Sequence, residues 1–498
     1  MIPLDSQSRA PLNNVVPVRA TKVAASSDER FLPACNAKPP RTYPLASWAA
    51  DSLLVAILAP FLSLASGGVP RLLLAIVILD IPLQVGTHLY YRENDATVGA
   101  MGGLSISATT IALAGLYVSW LIQTLIRKNF RPRSSIEINL PLLLYLMASV
   151  LSVSVAQDVP LALFEVTLLL ESSLLFFYVA NAVRTRRDVL FVVSLLLIAC
   201  LLESAIMTAM RLTVTPSTTW DLPIHLHADW TGHGSFMRIG GTVGSPNFAA
   251  GYLSISLPLA ASVLFTNLTR AYKVLATWVL GLGSVALILT FSRGGWIALM
   301  LAVALLSFGV WWRRGLSLRM PTATAALLLL LFLPFHSLVS ARLFGDDKGS
   351  AESRVPLMHL AFRIVEANPV LGVGANNFTV VMNRYLSPEF RQGFLFAVHN
   401  KYLLVLAETG AVGLFAFLAF LVGTVRKGWK CWRFCDEPLS SLALGFTVGI
   451  VGHMVHMTVD VFRGRPTQQL VWLIAGLLTA MYRMRPASSP SDSLLRIS

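Results

Sequence analysis

Long apolar runs separated by polar connections are the dominant pattern along this chain. A helix needs roughly 20 apolar residues to cross a bilayer core about 30 Å thick, so runs of that length are candidate membrane spans. The sequence contains thirteen such runs, at 49–66, 70–90, 102–126, 138–156, 159–182, 189–210, 247–266, 273–291, 294–312, 321–340, 401–425, 438–461 and 467–482. The pattern predicts an all-α, polytopic membrane protein.

Clusters of arginine and lysine recur between these runs, each directly after an odd-numbered one. They lie at 127–133, 184–187, 270–273, 313–319, 426–433 and 483–485. Cytoplasmic loops of membrane proteins are enriched in these residues, so we predict all six clusters on the cytoplasmic side. The exported face then receives two long connections, 211–246 and 341–400, and the second is nearly neutral, with six basic and five acidic residues.

The first 46 residues conflict with a count of thirteen crossings. They carry six basic and three acidic side chains, which favours the cytoplasmic side for this end of the chain too. Gly67, Gly68 and Pro70 interrupt the stretch 49–90, where a short or re-entrant element would leave about twelve transmembrane helices. Which of the first two runs spans the membrane stays open.

The same patterns divide the chain into three parts. Residues 1–46 form a cytoplasmic tail, predicted to be disordered because it has no periodic apolar pattern. The membrane domain covers residues 47–484, including the long loop 341–400, and residues 485–498 form a second cytoplasmic tail.

Composition excludes several other classes of protein. Hydrophobic residues make up 55% of the chain and charged residues 13%, about half the usual charged share of a soluble protein. The net charge of +14 is spread over short clusters rather than one face, which argues against a nucleic-acid partner. Four scattered cysteines do not form a disulfide framework. No inverted repeat is visible, which disfavours a carrier.

Two polar segments break the apolar pattern on the predicted exported face before the long loop. The first, RIGGTVGSPN at 238–247, combines Arg238 with glycines and a proline suited to a helix start; the alternative is an ordinary loop entering a helix. The second, FSRGGW at 291–296, places Arg293 in a tight turn against the positive-inside rule. A snorkelling arginine is the alternative there.

Two more segments lie in or just after the long loop. Arg354 precedes an amphipathic stretch and the segment NPVLGVGANNF at 368–378, and a 60-residue connection of this kind favours a functional lid or site over a linker. His399 begins the segment HNKYL, which AETGAVG at 407–413 follows in the same membrane run. A lone histidine at an interface is more often structural, but four such segments on one face favour a site.

Three further polar groups are weaker candidates. His225, His227, His233 and Asp229 could bind a metal or form a polar surface that faces an acceptor. Asp346 and Asp347 suggest an acidic pair but fit a loop tip better. His453, His456 and Asp460 are spaced for one helix face near Arg463 and Arg465, where they either support the site or form a packing cluster.

The four segments together resemble the O-antigen ligase and polymerase family of bacterial envelope glycosyltransferases. The resemblance rests on Arg-x-x-Gly with Pro-Asn, Ser-Arg-Gly, Ser-Arg, Asn-Pro-x-x-Gly-x-Gly, and His-Asn-x-x-Leu with Glu-x-Gly-x-x-Gly, in this order over about 140–480. It implies transfer of a glycan from undecaprenyl diphosphate to a hydroxyl acceptor at the periplasmic face of the inner membrane, with no cofactor and no metal.

The resemblance also assigns roles to residues. It implies His399, Arg293 and Arg354 as catalytic and Arg238 as substrate-binding. We also predict substrate binding by Asn247 and Asn400, which lie in the same motifs, and by Asp460 and Arg463, which place charge at the exported end of a membrane run. Arginine offers a permanent charge and a planar fork of donors for a diphosphate, and histidine has a pKa suited to a general base.

The acceptor and one rival class stay open. A glycan, lipid A core and a protein hydroxyl are alternative acceptors, so ligase and polymerase are not separated. A transporter or flippase of a lipid-linked sugar is the rival class, for which charges spread through the membrane midplane are expected. The basic residues here gather near the membrane faces instead.

Overall fold

The structure is a computed structural model that describes residues 53, 57, 68–126, 137–213, 226–231, 236–314, 336–337, 340, 354–387 and 395–485. Most of these residues are helical. The helices are α1 (68–83), α2 (Glu93–Thr97), α3 (Ala108–Ile126), α4 (Leu140–Ser152), α5 (Val159–Ala182), α6 (Arg186–Thr213), α7 (Pro246–Leu264), α8 (Arg270–Leu289), α9 (Arg293–Arg314), α10 (Arg354–Ala367), α11 (Phe378–Val381), α12 (Lys401–Phe434), α13 (Leu439–His456) and α14 (Arg465–Arg483).

Eight helices in the described part are long and apolar enough to cross a membrane, namely α3, α5, α6, α7, α8, α9, α12 and α13. α4 is a shorter apolar helix. This confirms the helical membrane protein predicted from the sequence. The runs 49–66 and 321–340 fall almost entirely outside the described residues, as do both predicted tails, so the count of twelve stays a prediction.

Two short antiparallel hairpins were not predicted by the all-α pattern. β1 (Gly86–Leu89) pairs with β2 (Leu104–Ser107), and β3 (His227–Thr231) pairs with β4 (Phe236–Gly241). The predicted run 70–90 was therefore too long, because the helix ends at residue 83. Asp80 ends it: its Oδ1 accepts the Val85 amide at 2.7 Å, beside Gln84 at φ 51°.

Side-chain caps start several of the helices. Asn139 accepts the Leu142 amide at 3.1 Å to begin α4, and Asp158 accepts the Leu161 amide at 3.1 Å to begin α5. Proline occupies the first helical turn in both, where its missing N–H costs no hydrogen bond. Helix starts are therefore well defined by the sequence.

Basic residues of the clusters that the structure describes gather at one end of the helix bundle. Arg313 at the end of α9 contacts Ser440 at the start of α13, and Lys427 lies 3.0 Å from Glu137 before α4. Arg483 donates to the Ala180 carbonyl at the end of α5, at 3.2 Å. Arg238, Arg293, Arg354 and His399 lie at the opposite end, where α7, α9, α12 and α14 begin; we call it the site end.

Candidate active site at one end of the bundle

Arg354 is the first residue of α10 and reaches the connection between α13 and α14. Its Nη1 donates to the Val459 carbonyl at 3.0 Å. A carbonyl is a neutral acceptor, so this bond positions the guanidinium without cancelling its charge. The long loop is thereby joined to residues 457–464.

Arg238 lies in β4 and connects two helices at the site end. Its Nε donates to the Thr290 carbonyl at 2.9 Å, and its Nη2 donates to Asn247 Oδ1 at 2.7 Å. Asn247 stands in the first turn of α7, and Thr290 caps the end of α8. Arg238 is therefore in direct contact with the Pro-Asn part of its own segment at the start of α7.

Arg293 is the half-buried first residue of α9. The next residue, Gly294, packs against the end of α13: a Cβ there would lie 2.6 Å from the His456 ring and 3.0 Å from Val459. Arg293 therefore neighbours the same segment that Arg354 binds.

His399 and Asp460 lie where the long loop meets that segment. His399 is half-buried, its ring centroid lies 5.1 Å from that of Phe396, and within the described part of the chain its Nδ1 has no hydrogen-bond partner. Asp460 is buried and its Oδ1 accepts the Val461 amide at 2.8 Å. We call Arg238, Arg354, His399 and Asp460 the arginine–histidine cluster.

Charges within this cluster act on one another. Burial lowers the pKa of His399, the Asp460 carboxylate opposes that change, and the positive charge of Arg354 adds to it. Burial raises the pKa of Asp460, while His399, the Val461 amide, Arg354 and Arg238 lower it. His399 is therefore neutral near pH 7, the form that accepts a proton.

Asn400 is the N-cap residue of α12. Its Oδ1 accepts the Leu403 amide at 3.0 Å, an N-cap contact. The next residue, Lys401, donates its amide to the Met457 carbonyl at 2.8 Å. These two bonds fix the position of His399 relative to the end of α13, while substrate binding by Asn400 stays a prediction.

Arg463 belongs to a separate, buried ionic cluster. Its Nη2 lies 2.5 Å from Glu408 Oε1, and its Nε lies 3.8 Å from Glu165. Lys401 Nζ lies 3.8 Å from the same Glu165. Arg463 is 5% exposed, so direct substrate contact by this residue, which stays a prediction, would need the cluster to open. We call Glu165, Lys401, Glu408 and Arg463 the buried ionic cluster.

The segment 368–378 forms part of a break in α12. Gly410 has φ 68° inside this helix, and the Ala411 amide instead bonds to the Pro369 carbonyl at 2.9 Å. The Val373 amide donates to the Ala407 carbonyl at 3.0 Å. A side chain at Gly410 would collide with the Val370 carbonyl, so the two glycine motifs fit each other's backbone.

Asn376 and Asn377 attach this segment to the start of the membrane domain. Asn376 bonds both backbone groups of Met101, at 2.8 and 2.9 Å, and Asn377 bonds both of Asp158, at 2.7 and 3.0 Å. These four hydrogen bonds give the segment 368–378 a structural role. Its role as a functional lid or site stays a prediction.

Glu203 holds the hairpin that carries Arg238. The Thr242 amide donates to its Oε1 at 2.9 Å, and its Oε2 also contacts the Thr242 hydroxyl. Gly241 is necessary there because a Cβ would strike the Glu203 carboxylate. The sequence interpretation missed Glu203 and Glu165, although carboxylates within apolar runs were visible signals of a partner.

Two lesser interpretations change with the structure. α13 ends at His456, so Asp460 does not continue a helix face with His453 and His456, and the predicted run 438–461 was too long. The proposed metal group falls partly outside the described residues, since His225 and His233 are not among them. Within the described ranges, no group of three or more His, Cys, Asp or Glu side chains is arranged to hold a metal.

Residues 278–418 match the family model described as O-antigen ligase. The predicted resemblance is confirmed over this segment, which includes Arg293, Arg354 and His399. Arg238 and Asp460 lie outside it but join the same cluster in space. No curated protein matches the chain. The match supports a membrane enzyme of the ligase or polymerase type.

Proposed function

We propose that the protein transfers a glycan from undecaprenyl diphosphate to a hydroxyl acceptor at the periplasmic face of the bacterial inner membrane. The observation that carries this proposal is the convergence of Arg238, Arg354, His399 and Asp460 at one end of the bundle, beside Arg293. Two of these arginines and the histidine lie within the segment that matches O-antigen ligases.

His399 acts as the general base. The acceptor oxygen attacks the anomeric carbon while its proton passes to the neutral imidazole, a role that contributes typically 10²- to 10⁴-fold to rate. The bond between that carbon and the diphosphate oxygen breaks, and its electron pair stays on the diphosphate. Attack opposite the leaving group inverts the configuration of the sugar.

The arginines stabilise the leaving group. The diphosphate gains negative charge as the bond breaks, and fixed guanidinium groups lower the energy of that state. Arg354 donates to a neutral carbonyl oxygen, which leaves its charge available to an anion, and Arg238 is held at the same end of the bundle by the Thr290 carbonyl and Asn247. This proposal needs no nucleotide sugar and no cofactor.

The test is transfer by the purified protein in lipid, with a defined undecaprenyl-diphosphate glycan and hydroxyl acceptors offered in parallel. Product from a lipid A core acceptor identifies a ligase, product from a second repeat unit identifies a polymerase, and product from a peptide hydroxyl identifies protein glycosylation. Absence of transfer to all three, with donor binding retained, would favour the transporter class instead.

Topology is tested separately. A reporter active only in the periplasm should be active when fused after Ser387 and inactive when fused after Arg186 or Arg314. Activity at Arg314 would place the arginine–histidine cluster on the cytoplasmic side and contradict the proposal.

A further inference from the structure

Two exposed aromatic side chains, Tyr90 and Tyr91, begin the connection between strands β1 and β2. Tyr90 is 80% exposed and Tyr91 is 57% exposed, and the ring centroid of His88 lies 5.7 Å from that of Tyr91. Exposed aromatic residues grouped in this way on a protein surface commonly mark a binding site. We call His88, Tyr90 and Tyr91 the tyrosine platform.

The segment that follows the platform packs against the loop that carries His399. The Ala397 amide donates to the Val98 carbonyl at 3.0 Å, two residues before His399. A Cβ on Gly99 would lie 2.6 Å from the Phe396 ring, so the two backbones are in close contact. A Cβ on Gly102, three residues further along, would lie 3.2 Å from the Tyr91 ring, so one short segment contacts both the platform and the loop that carries His399.

This arrangement is held rigidly. Arg92 Nη1, directly after Tyr91, lies 2.6 Å from Asp158 at the start of α5. The Met101 amide bonds to Asn376 Oδ1 at 2.8 Å. The segment that joins the platform to the His399 loop is thus anchored at Arg92 and at Met101, so a ligand bound there costs little conformational freedom.

The chemistry around the tyrosines fits a sugar better than a lipid. Glu93, Asn94 and Thr97 are exposed beside them and offer hydrogen-bond partners to hydroxyl groups. The face of an aromatic ring carries partial negative charge and attracts the polarised C–H groups of a pyranose. Arg92 is paired with both Asp95 and Asp158, at 4.0 and 2.6 Å, so with the exposed Glu93 this surface has a net negative charge that would repel anionic lipid headgroups.

We propose that the tyrosine platform is a carbohydrate-binding subsite that stacks a sugar ring of the glycan entering or leaving the site beside His399. This inference rests on the proposed function and deepens it, since it identifies where part of the glycan is held. The sugar can belong to the acceptor or to the lipid-linked donor.

Kinetics separates these two sources. In the transfer assay, Tyr90→Ala and Tyr91→Ala should each raise one KM by about 2- to 10-fold with little change in kcat, the loss expected for one stacking contact. A raised KM for the acceptor identifies an acceptor subsite, and a raised KM for the donor identifies a donor subsite. Unchanged values for both would overturn the proposal.

A second set of variants separates sugar from lipid. Tyr90→Phe and Tyr91→Phe keep the ring and should retain most of the affinity, whereas Tyr90→Leu and Tyr91→Leu keep apolar area and should not. Full activity in the leucine variants would mean that the residues contact lipid. Trp312→Ala is the control, because Trp312 is 69% exposed at the opposite end of the bundle.

Direct binding tests the platform without turnover. The probe is the water-soluble oligosaccharide released by mild acid from the envelope glycan of the producing bacterium, titrated against the full chain in lipid nanodiscs. The double variant Tyr90→Ala with Tyr91→Ala should weaken binding, and Trp312→Ala should not. Weaker binding in an otherwise inactive protein would support the platform while the proposed function fails; equal binding in both would overturn the platform alone.

Discussion

Two groups of charged residues lie close together at the site end, but their side chains have different kinds of partner. In the buried ionic cluster, two carboxylates face two cations, and the Arg463 to Glu408 contact of 2.5 Å cancels charge locally. In the arginine–histidine cluster, Arg354 bonds a neutral carbonyl and His399 Nδ1 lacks a partner among the described residues. The paired charges of the buried ionic cluster are suited to stabilising the fold. The arginine–histidine cluster is suited to binding an anion and accepting a proton.

The two clusters are close together along the chain, so the buried ionic cluster can position the arginine–histidine cluster. Lys401 of the buried ionic cluster is two residues from His399, and Arg463 is three residues from Asp460. A charge-paired network buried in the bundle can therefore hold the segments that carry His399 and Asp460 in position. Buried ion pairs fix a conformation at some cost in desolvation, and their loss is felt mainly when one partner is removed.

The largest expected effect is on the reaction itself. His399→Ala should lower kcat by about 10²- to 10⁴-fold while donor binding and the yield of folded protein remain, because only proton transfer is removed. His359→Ala is the matched control, since His359 is exposed on the nearby helix α10. Near wild-type turnover in His399→Ala would remove this residue from the mechanism.

The next effect is on stability. Arg463→Met should destabilise the fold by about 3–5 kcal/mol, because it leaves Glu408 and Glu165 buried without their main cation. Thermal unfolding in detergent measures it, with Arg354→Met as the control that should unfold near the wild-type temperature.

A double variant sharpens the same comparison. Arg463→Met combined with Glu408→Leu removes both charges of the closest pair and should recover part of the lost stability. If Arg463→Met unfolds like the wild type, or if Arg354→Met is the less stable of the two, the assignment of structural and reactive clusters is reversed.

The sequence indicated the members of the arginine–histidine cluster better than those of the buried ionic cluster. Arg238, Arg293, Arg354 and His399 break the apolar pattern in loops, where an unexpected charge is conspicuous. Glu165 lies inside an apolar run, and nothing along the chain indicates that its partners are 236 and 298 residues away. Long-range pairing is decided by packing, which a single sequence does not contain.

The same limit applies to the fold. Helix starts were predictable because caps such as Asn139 and Asp158 act over three residues. The break in α12 was not, because the Ala411 amide finds its acceptor at Pro369 in another segment. Strands β1 and β2 were hidden at the facing ends of two apolar runs, 70–90 and 102–126, which the pattern predicts as helices.

A smaller effect on kcat is expected at Arg354, where a lysine separates the role of the positive charge from that of the planar guanidinium. Arg354→Lys keeps a positive charge but has no planar fork, so we expect a rate between those of the wild type and Arg354→Ala. The comparison is made with donor saturating, so that kcat reports stabilisation of the leaving diphosphate. Equal rates for Arg354→Lys and Arg354→Ala would show that the fork, rather than the charge, is what matters.

The smallest effect is a displacement of the pH profile. The neutral imidazole is the active form, so the rate should fall as pH drops through the pKa of His399, which burial and Arg354 lower from the ordinary value of about 6.5. Asp460 opposes that lowering, so Asp460→Asn should move the acid inflection to still lower pH. Arg354→Gln removes a cation that disfavours the imidazolium, so its residual activity should show the inflection at higher pH. Asp188→Asn, at the opposite end of the bundle beside Arg71, is the control and should leave the inflection in place. Opposite displacements in the two site variants are expected if His399 is the titrating base, whereas a common direction would mean that another group controls the acid limb.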